Sequence, residues 1–313
     1  MTLRASTIGI DIGGTNLRAA RIASDGSIEE RISERVTREP RVVTERVIEL
    51  VRALDKPSVV AIGVGIPGRV DAHRRQVLSG GYLNLSGVHF AEDVEAAIGK
   101  PVSIDNDCNM ALVAEIAVGA AMRREHVVMF TIGTGIGGAV VLDGKIVRGR
   151  MTAGQFGHLT VEVDGLPCAC GRRGCVETTS SGLALARLIA EAGLPPNLTV
   201  EDLFAREGEG DAVASGVLTQ WIRPLRAAID TTVAAFAPEL VLLGGGLGHA
   251  AHRALARAPA LADWYRCEVE KAELGDDAGV IGGGLSALIE FIEANSALRL
   301  RSHGFAKPRE VKP

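Results

Sequence analysis

Ile10-Asp11-Ile12-Gly13-Gly14-Thr15-Asn16 carries a buried apolar run into a glycine turn, and Phe130-Thr131-Ile132-Gly133-Thr134-Gly135-Ile136-Gly137-Gly138 does so again. Residues 6–12 and 127–132 read as the strands entering these turns, and 17–22 and 139–142 as the strands leaving them. The second returning strand is closed by Asp143-Gly144. The chain therefore begins two similarly built halves, each on a glycine-tipped hairpin. After the first hairpin, Val42, Val43, Val47, Leu50, Val51 and Leu54 recur at helical spacing. Residues 59–64 form a continuous apolar strand that runs into the loop Gly65-Ile66-Pro67-Gly68. A short helix over 91–98, a strand over 102–104 and a helix over 110–121 follow. Beyond the second hairpin, 240–243 is a buried strand followed by Gly244-Gly245-Gly246, and 286–297 is a closing helix. Strands alternating with helices predict an α/β fold.

The glycine turns point to phosphate. Gly133-x-Gly135-x-x-Gly138 matches the dinucleotide fingerprint in letters, but that fingerprint needs a helix to start inside the glycines. Ala-Val-Val-Leu-Asp-Gly follows instead, a strand and a turn, and no Gly-Lys-Ser/Thr run offers a Walker A loop. What remains is backbone N–H groups that can approach phosphate oxygens at Gly13, Gly14, Asn16, Gly133, Gly135, Gly245 and Gly246, with hydroxyls from Thr15 and Thr134. Asp11 stands beside the first turn, placed to hold Mg²⁺ through water. The plainer alternative is a pair of ordinary tight hairpins; matching positions and a third glycine run count against it.

Bulk properties narrow the class. The chain has 313 residues, enough for two domains, and 47% hydrophobic residues, enough for sizeable cores. Aromatics are 4%, so Val, Ile, Leu and Ala must build those cores. A net charge of −4 gives no basic excess for a nucleic-acid partner. Met1-Thr2-Leu3-Arg4 leads straight into a strand without a secretory signal, and Glu115 and Pro238 interrupt the best apolar stretches, so no membrane span is predicted. The expectation is a soluble, cytoplasmic protein. Cys168-Ala169-Cys170-Gly171-Arg172-Arg173-Gly174-Cys175 holds three of the five cysteines, with His158 upstream. In a reducing compartment this favours a Cys₃His structural zinc site over disulfides, with a cluster of reduced thiols as the alternative. Cys108 and Cys267 sit singly in apolar surroundings as core residues. Arg299, Arg301, Lys307, Arg309 and Lys312 lie in a terminal stretch, 299–313, read as a frayed tail in preference to a binding arm.

Asp105-Asn106-Asp107 lies between a strand and a helix, where a carboxylate can take the proton of an attacking hydroxyl. Local sequence supports a helix N-cap at Asp107 or Asn109 equally well. Taken together, Asp11-Ile12-Gly13-Gly14-Thr15, Gly65-Ile66-Pro67-Gly68, Asn106-Asp107-Cys108-Asn109 and Gly133-Thr134-Gly135-Ile136-Gly137-Gly138 resemble the ROK family of sugar kinases and transcriptional repressors. Ala153-Gly154-Gln155-Phe156-Gly157-His158, the cysteine cluster with Glu177, and Leu274-Gly275-Asp276-Asp277-Ala278-Gly279 continue the resemblance over almost the whole chain.

That resemblance implies a two-lobed actin-like ATPase (ribonuclease H-like) fold with a cleft between the lobes. Residues 1–120 would form the small lobe, completed by a C-terminal helix at about 285–313, and 121–284 the large lobe with the zinc loop. It implies ATP with Mg²⁺, phosphorylation of a hexose at O6, and a homodimer. Asp107 would be the general base and Asn106 a sugar ligand, with Gly68, Arg69, Asn84, Gln155, His158 and Glu177 at or near the sugar. His158 would place one ring nitrogen on zinc and the other towards a sugar hydroxyl. Two departures bear on the substrate. Gln155 stands where the family carries Glu, and Ser86-Gly87-Val88 replaces the usual Gly-Trp. Glucose is the default; N-acetylglucosamine, N-acetylmannosamine and 3-amino-3-deoxyglucose are the alternatives. Repressors of the family carry a helix-turn-helix before the first turn, whereas only a few residues precede Ile8 here, so a sugar-sensing regulator is disfavoured.

Overall fold

Residues 6–12 have no exposed face: all but Asp11 are buried, as in a strand at the middle of a sheet covered on both sides. The computed structural model, which describes residues 5–71, 73–80, 83–150, 152–260 and 262–302, puts them there. The described chain divides into two units, residues up to 110 together with 279–302, and residues 111–278.

The first unit contains β1 (Ser6–Ile12), β2 (Asn16–Ala23), β3 (Ile28–Arg35), α1 (Pro40–Leu54), β4 (Val59–Ile66), β5 (Arg69–Val70), β6 (Val77–Ser79), α2 (Phe90–Ile98) and β7 (Val102–Asn106). Its sheet runs β3-β2-β1-β4-β7, an antiparallel meander of three strands joined to two parallel ones. β5 and β6 form a separate ribbon. In α1, Pro40 opens the helix and Val43, Val47, Leu50, Val51 and Leu54 bury one face. The division between units falls within α3 (Asp107–Val118).

The second unit repeats this plan. It contains β8 (Val127–Ile132), β9 (Ile136–Leu142), β10 (Lys145–Ile146), α4 (Glu177–Ser180), α5 (Gly182–Glu191), α6 (Val200–Gly208), α7 (Ala212–Phe236), β11 (Leu240–Gly244), α8 (Gly248–Ala254) and β12 (Glu268–Lys271). The sheet order β10-β9-β8-β11-β12 is again a meander followed by two parallel strands. Its core gathers Phe130, Phe156, Leu218, Trp221 and Leu243, with the Trp221 indole N–H donating to Ser181 O at 3.1 Å. Gly137 and Gly138, expected in the turn, lie within β9. Gly138 is needed there for room, since a Cβ would come 2.4 Å from Phe156 Cδ2.

α9 (Ala278–Ser302) returns the chain to the first unit. Its glycines let backbone meet backbone: a Cβ on Gly9 of β1 would stand 1.7 Å from Val280 O, and one on Gly63 of β4 2.0 Å from Gly283 O. Thr7 Oγ1 donates to Gly284 O at 2.8 Å across the same contact. The helix is longer at both ends than the 286–297 expected. Residues 299–302, read as part of a frayed tail, are its last turn, and 303–313 lie outside the described residues.

Candidate active site and metal centre

β7 ends in Asp105-Asn106 and α3 begins at Asp107, so three polar side chains leave a buried strand together. Asn106 takes the helix cap: its Oδ1 accepts from Cys108 N at 3.0 Å and from Asn109 N at 3.4 Å. The cap thus falls on neither Asp107 nor Asn109. Asn106 Nδ2 donates to Gly68 O at 2.9 Å, tying in the loop after β4. Gly68 has a φ of 107°, and a Cβ there would stand 2.0 Å from Ser79 O, so glycine is required. Arg69 Nε donates to Ser79 Oγ at 3.0 Å, and exposed Asn84 accepts from Ser86 N at 3.0 Å in an Asx turn.

Asp107 is half-buried. Its Oδ1 accepts from Cys108 N at 2.9 Å and faces Cys108 Sγ at 3.5 Å. Burial pushes its carboxyl above the usual carboxylate range, against the opposing pull of these Cys108 contacts. A carboxylate so placed holds a proton more readily, which is the property a general base needs.

Asp11 lies at the end of β1, with Oδ2 3.3 Å from Arg18 Nη1. Its carboxyl packs on Gly279 near the start of α9, where a Cβ would come 2.7 Å from Cγ. Gly13 N donates to Asn16 O at 2.9 Å, closing a turn whose Gly14 and Thr15 are exposed. Asp11 is an oxygen donor of the hard kind that suits Mg²⁺, and it stands beside a turn whose Gly14 and Thr15 are exposed.

In the second unit, Gly133 N donates to Gly135 O at 3.0 Å, and Thr134 at the tip is exposed. The start of α5 backs this turn: Gly182 N donates to Gly133 O at 2.8 Å and Leu183 N to Thr134 O at 3.3 Å. Glu177 lies on it as well, its Oε2 accepting from Ile136 N at 2.9 Å. Gly135 leaves the room for that carboxylate, since a Cβ would sit 2.5 Å from Oε2. Leu247 N donates to Ile132 O at 2.9 Å, and a Cβ on Gly245 would stand 2.6 Å from the same oxygen. The structure therefore brings Gly133, Thr134, Gly135, Glu177, Gly245 and Gly246 to one end of one sheet. The family resemblance marks Glu177 only as a sugar neighbour; its bond to the turn amide leaves no pattern in the sequence.

His158 ends a single helical turn over Phe156–His158 that starts after Gln155. Phe156 of that turn packs on Gly138, so Gln155 and His158 are placed by β9. His158 Nδ1 lies 3.6 Å from Cys168 Sγ, and Cys170 Sγ lies 3.6 Å from Cys175 Sγ. All four ligand atoms fall within 4.8 Å of one another. Tetrahedral zinc, with Zn–S about 2.3 Å and Zn–N about 2.0–2.1 Å, sets S···S edges of about 3.8 Å and S···N edges of about 3.5 Å. The donor set fits zinc in kind, and the His158–Cys168 and Cys170–Cys175 edges fit it in spacing. Cys168 and Cys175 are buried and Cys170 exposed. The Arg172 backbone N–H draws the Cys170 thiol down to about 7, while burial holds Cys175 up to about 12. The Arg172 side chain also donates to His158 O. Cys108 is buried, as expected for a core residue, whereas Cys267 is only partly buried, its Sγ 3.2 Å from Pro238 O.

A model of the ROK family matches residues 7–289. A glucokinase of Thermotoga maritima is 30% identical over 306 residues, covering 88% of this chain and 95% of that protein. An N-acetylmannosamine kinase of Citrobacter koseri is 32% identical over 295 residues, covering 90% and 98%. The crystal structure of a ROK family glucokinase from Streptomyces griseus, in complex with glucose and AMPPNP, is similar with a TM-score of 0.77 and 28% identity, covering 91% of this chain and all of that one. Among the described residues, no helix is long and apolar enough to cross a membrane.

Proposed function

The chain belongs to the ROK family, and from that premise we propose that it is an ATP-dependent sugar kinase of the actin-like ATPase fold that phosphorylates a hexose at O6, with glucose as the default acceptor. The observation that carries this is Asp107: a half-buried carboxyl whose burial raises its proton affinity, at a strand–helix junction where Asn106 has already taken the cap. Asp107 accepts the proton of the 6-hydroxyl as that oxygen attacks the γ-phosphorus. The phosphoryl group moves to O6 and ADP leaves with the electrons of the broken P–O bond. Amides of Gly14, Thr15 and Asn16, and those of Thr134, Gly135, Gly245 and Gly246, offer donors to the phosphate oxygens, whereas Gly13 N and Gly133 N are engaged in closing their turns. Asp11 would hold Mg²⁺, which supplies charge neutralisation to the phosphates.

Asn106, Gly68, Arg69, Asn84, Gln155, His158 and Glu177 are proposed to bind the sugar. His158, Cys168, Cys170 and Cys175 would hold zinc in a structural role, which keeps the His158 ring oriented. An amino or N-acetylated hexose is the second reading. It is favoured by Gln155, a neutral amide in a position read as facing the sugar, and by the similarity to an N-acetylmannosamine kinase. The active form is taken to be a homodimer, which sedimentation equilibrium would test. ATP-dependent ADP release across a panel of hexoses and aminohexoses decides the function: one sugar should stand out in kcat/KM, and ADP release that no sugar stimulates would overturn the kinase reading.

A further inference from the structure

Behind Asp107 lies a set of charged side chains that the reaction above does not use. Asp105 is buried at 3% exposure, and its Oδ1 accepts from Asn106 N at 2.7 Å and from Asn109 Nδ2 at 2.9 Å. Its Oδ2 lies 3.5 Å from Arg74 Nε. Arg74 comes from the turn between β5 and β6 and holds more than this one carboxylate. Its Nε donates to Ile104 O at 3.2 Å, its Nη2 to Ser286 Oγ of α9 at 3.0 Å, and its Nη1 pairs with Glu290. Ile104 N donates back to Arg74 O at 3.2 Å. Arg74 sits at a φ of 58°, a conformation that an L side chain adopts only when its surroundings dictate it.

The turn that presents Arg74 is itself built by Asp71, whose carboxylate accepts from Arg75 N at 2.7 Å, Gln76 N at 2.8 Å and His73 N at 3.2 Å. Arg75 then donates to Val102 O at 2.6 Å. One turn therefore grips β7 at both ends, Arg75 where the strand starts and Arg74 where it gives way to Asn106 and Asp107. Asp105 carries that grip across the junction, since the same Oδ1 binds the main chain of Asn106 and the side chain of Asn109 in the first turn of α3.

We propose that Arg74 and Asp105 are positioning residues that fix the β7–α3 junction so that Asp107 meets the sugar hydroxyl at the distance and angle proton transfer needs. This rests on Asp107 being the base. Neither residue is proposed to touch the sugar or the nucleotide. Displacements on the order of 1 Å at a reacting group cost about 100-fold in rate, so loss of the grip should be read in turnover.

The test is a double-mutant cycle in the full-length enzyme, measuring kcat and the KM values for ATP and for the preferred sugar. Arg74→Ala should lower kcat by about 10- to 100-fold and leave the KM for ATP within about twofold. Arg74→Lys should recover part of that loss, since it restores the charge facing Asp105 but not the planar fork. In an Asp107→Asn background, Arg74→Ala should cost little further turnover, because it acts through a base that is no longer there. An unchanged kcat in folded Arg74→Ala, or an equal loss in both backgrounds, would overturn the inference. If Arg74→Ala does not fold, Arg74→Lys and Asp105→Asn complete the same cycle with milder changes. Near-native turnover of Asp107→Asn alone would remove the base itself, and that outcome is read from one variant, apart from the cycle.

Discussion

Replacing Asp107 by Asn keeps the outline of the β7–α3 junction and removes the proton acceptor, so kcat should fall by about 10²–10⁴. Steady-state kinetics with the preferred sugar would show it, and near-normal turnover in a folded variant would refute the assignment. The raised pKa also has a signed consequence. The folded value lies above the unfolded one of about 3.9, so folding disfavours the ionised form, and this cost appears as pH rises through that range. The acid limb of kcat/KM should accordingly lie above pH ~4, and Asp107→Asn should melt no lower than the native protein near neutrality. Gln155→Glu tests the substrate. If Gln155 selects an acylated or amino sugar, the substitution should raise kcat/KM for glucose and lower it for that sugar, because a carboxylate makes charge-assisted bonds about twice as strong to hydroxyls. A parallel gain on both sugars would mean that Gln155 selects nothing. Asn106 and Asp107 were legible because they are neighbours in the chain with a recognisable setting. Arg74 was not, because its partners Asp105, Ser286 and Glu290 come from other elements and no local pattern links them.

At the scale of elements, α9 is held by the absence of side chains. A Cβ on Gly282 would stand 1.7 Å from Met110 O, a backbone atom that cannot rotate away. Gly282→Ala should therefore destabilise the fold by about 1–3 kcal/mol, whereas Gly216→Ala, in α7 with nothing within 4 Å, should stabilise it by roughly 0.4–1 kcal/mol. Urea denaturation of the two variants separates these signs, and equal midpoints would contradict the packing argument. The same glycines explain why the helix was expected only from 286. Gly279, Gly282, Gly283 and Gly284 weaken helical propensity, and tertiary packing overrides them. α7 likewise tolerates Pro224 in its interior, where the missing N–H breaks the hydrogen-bond ladder of a helix that continues past it. The zinc loop is the opposite case: its spacing was visible, and the fold supplies the convergence. Metal analysis of chelator-washed protein should give about one zinc per chain. Cys170→Ser should lose that zinc and weaken sugar binding through His158, and full activity without metal would count against the role.

Over the whole molecule, each unit has its own core, one around Ile10, Ile62 and Ile104 and the other around Phe130, Trp221 and Leu243. The repeated glycine turns made the two halves visible in the sequence. The return of the chain to the first unit is expected only from the family resemblance, because its contacts at Gly9, Gly63 and Gly283 involve residues with no side chain to leave a pattern. Ending the chain at Ala278 should abolish sugar phosphorylation while residues 111–278 keep a protease-resistant fold and their zinc. A truncated protein that still phosphorylates sugar would show that α9 is dispensable to the first unit. The discontinuity also sets an order of events during synthesis. At about 5–20 residues per second, roughly ten to thirty seconds of translation separate residue 110 from residue 279. The second unit is continuous and can finish folding while the ribosome is still at work. The first unit must wait through that interval with the glycine floor of its sheet open, and its early strands need to resist misassociation until α9 emerges to cover them.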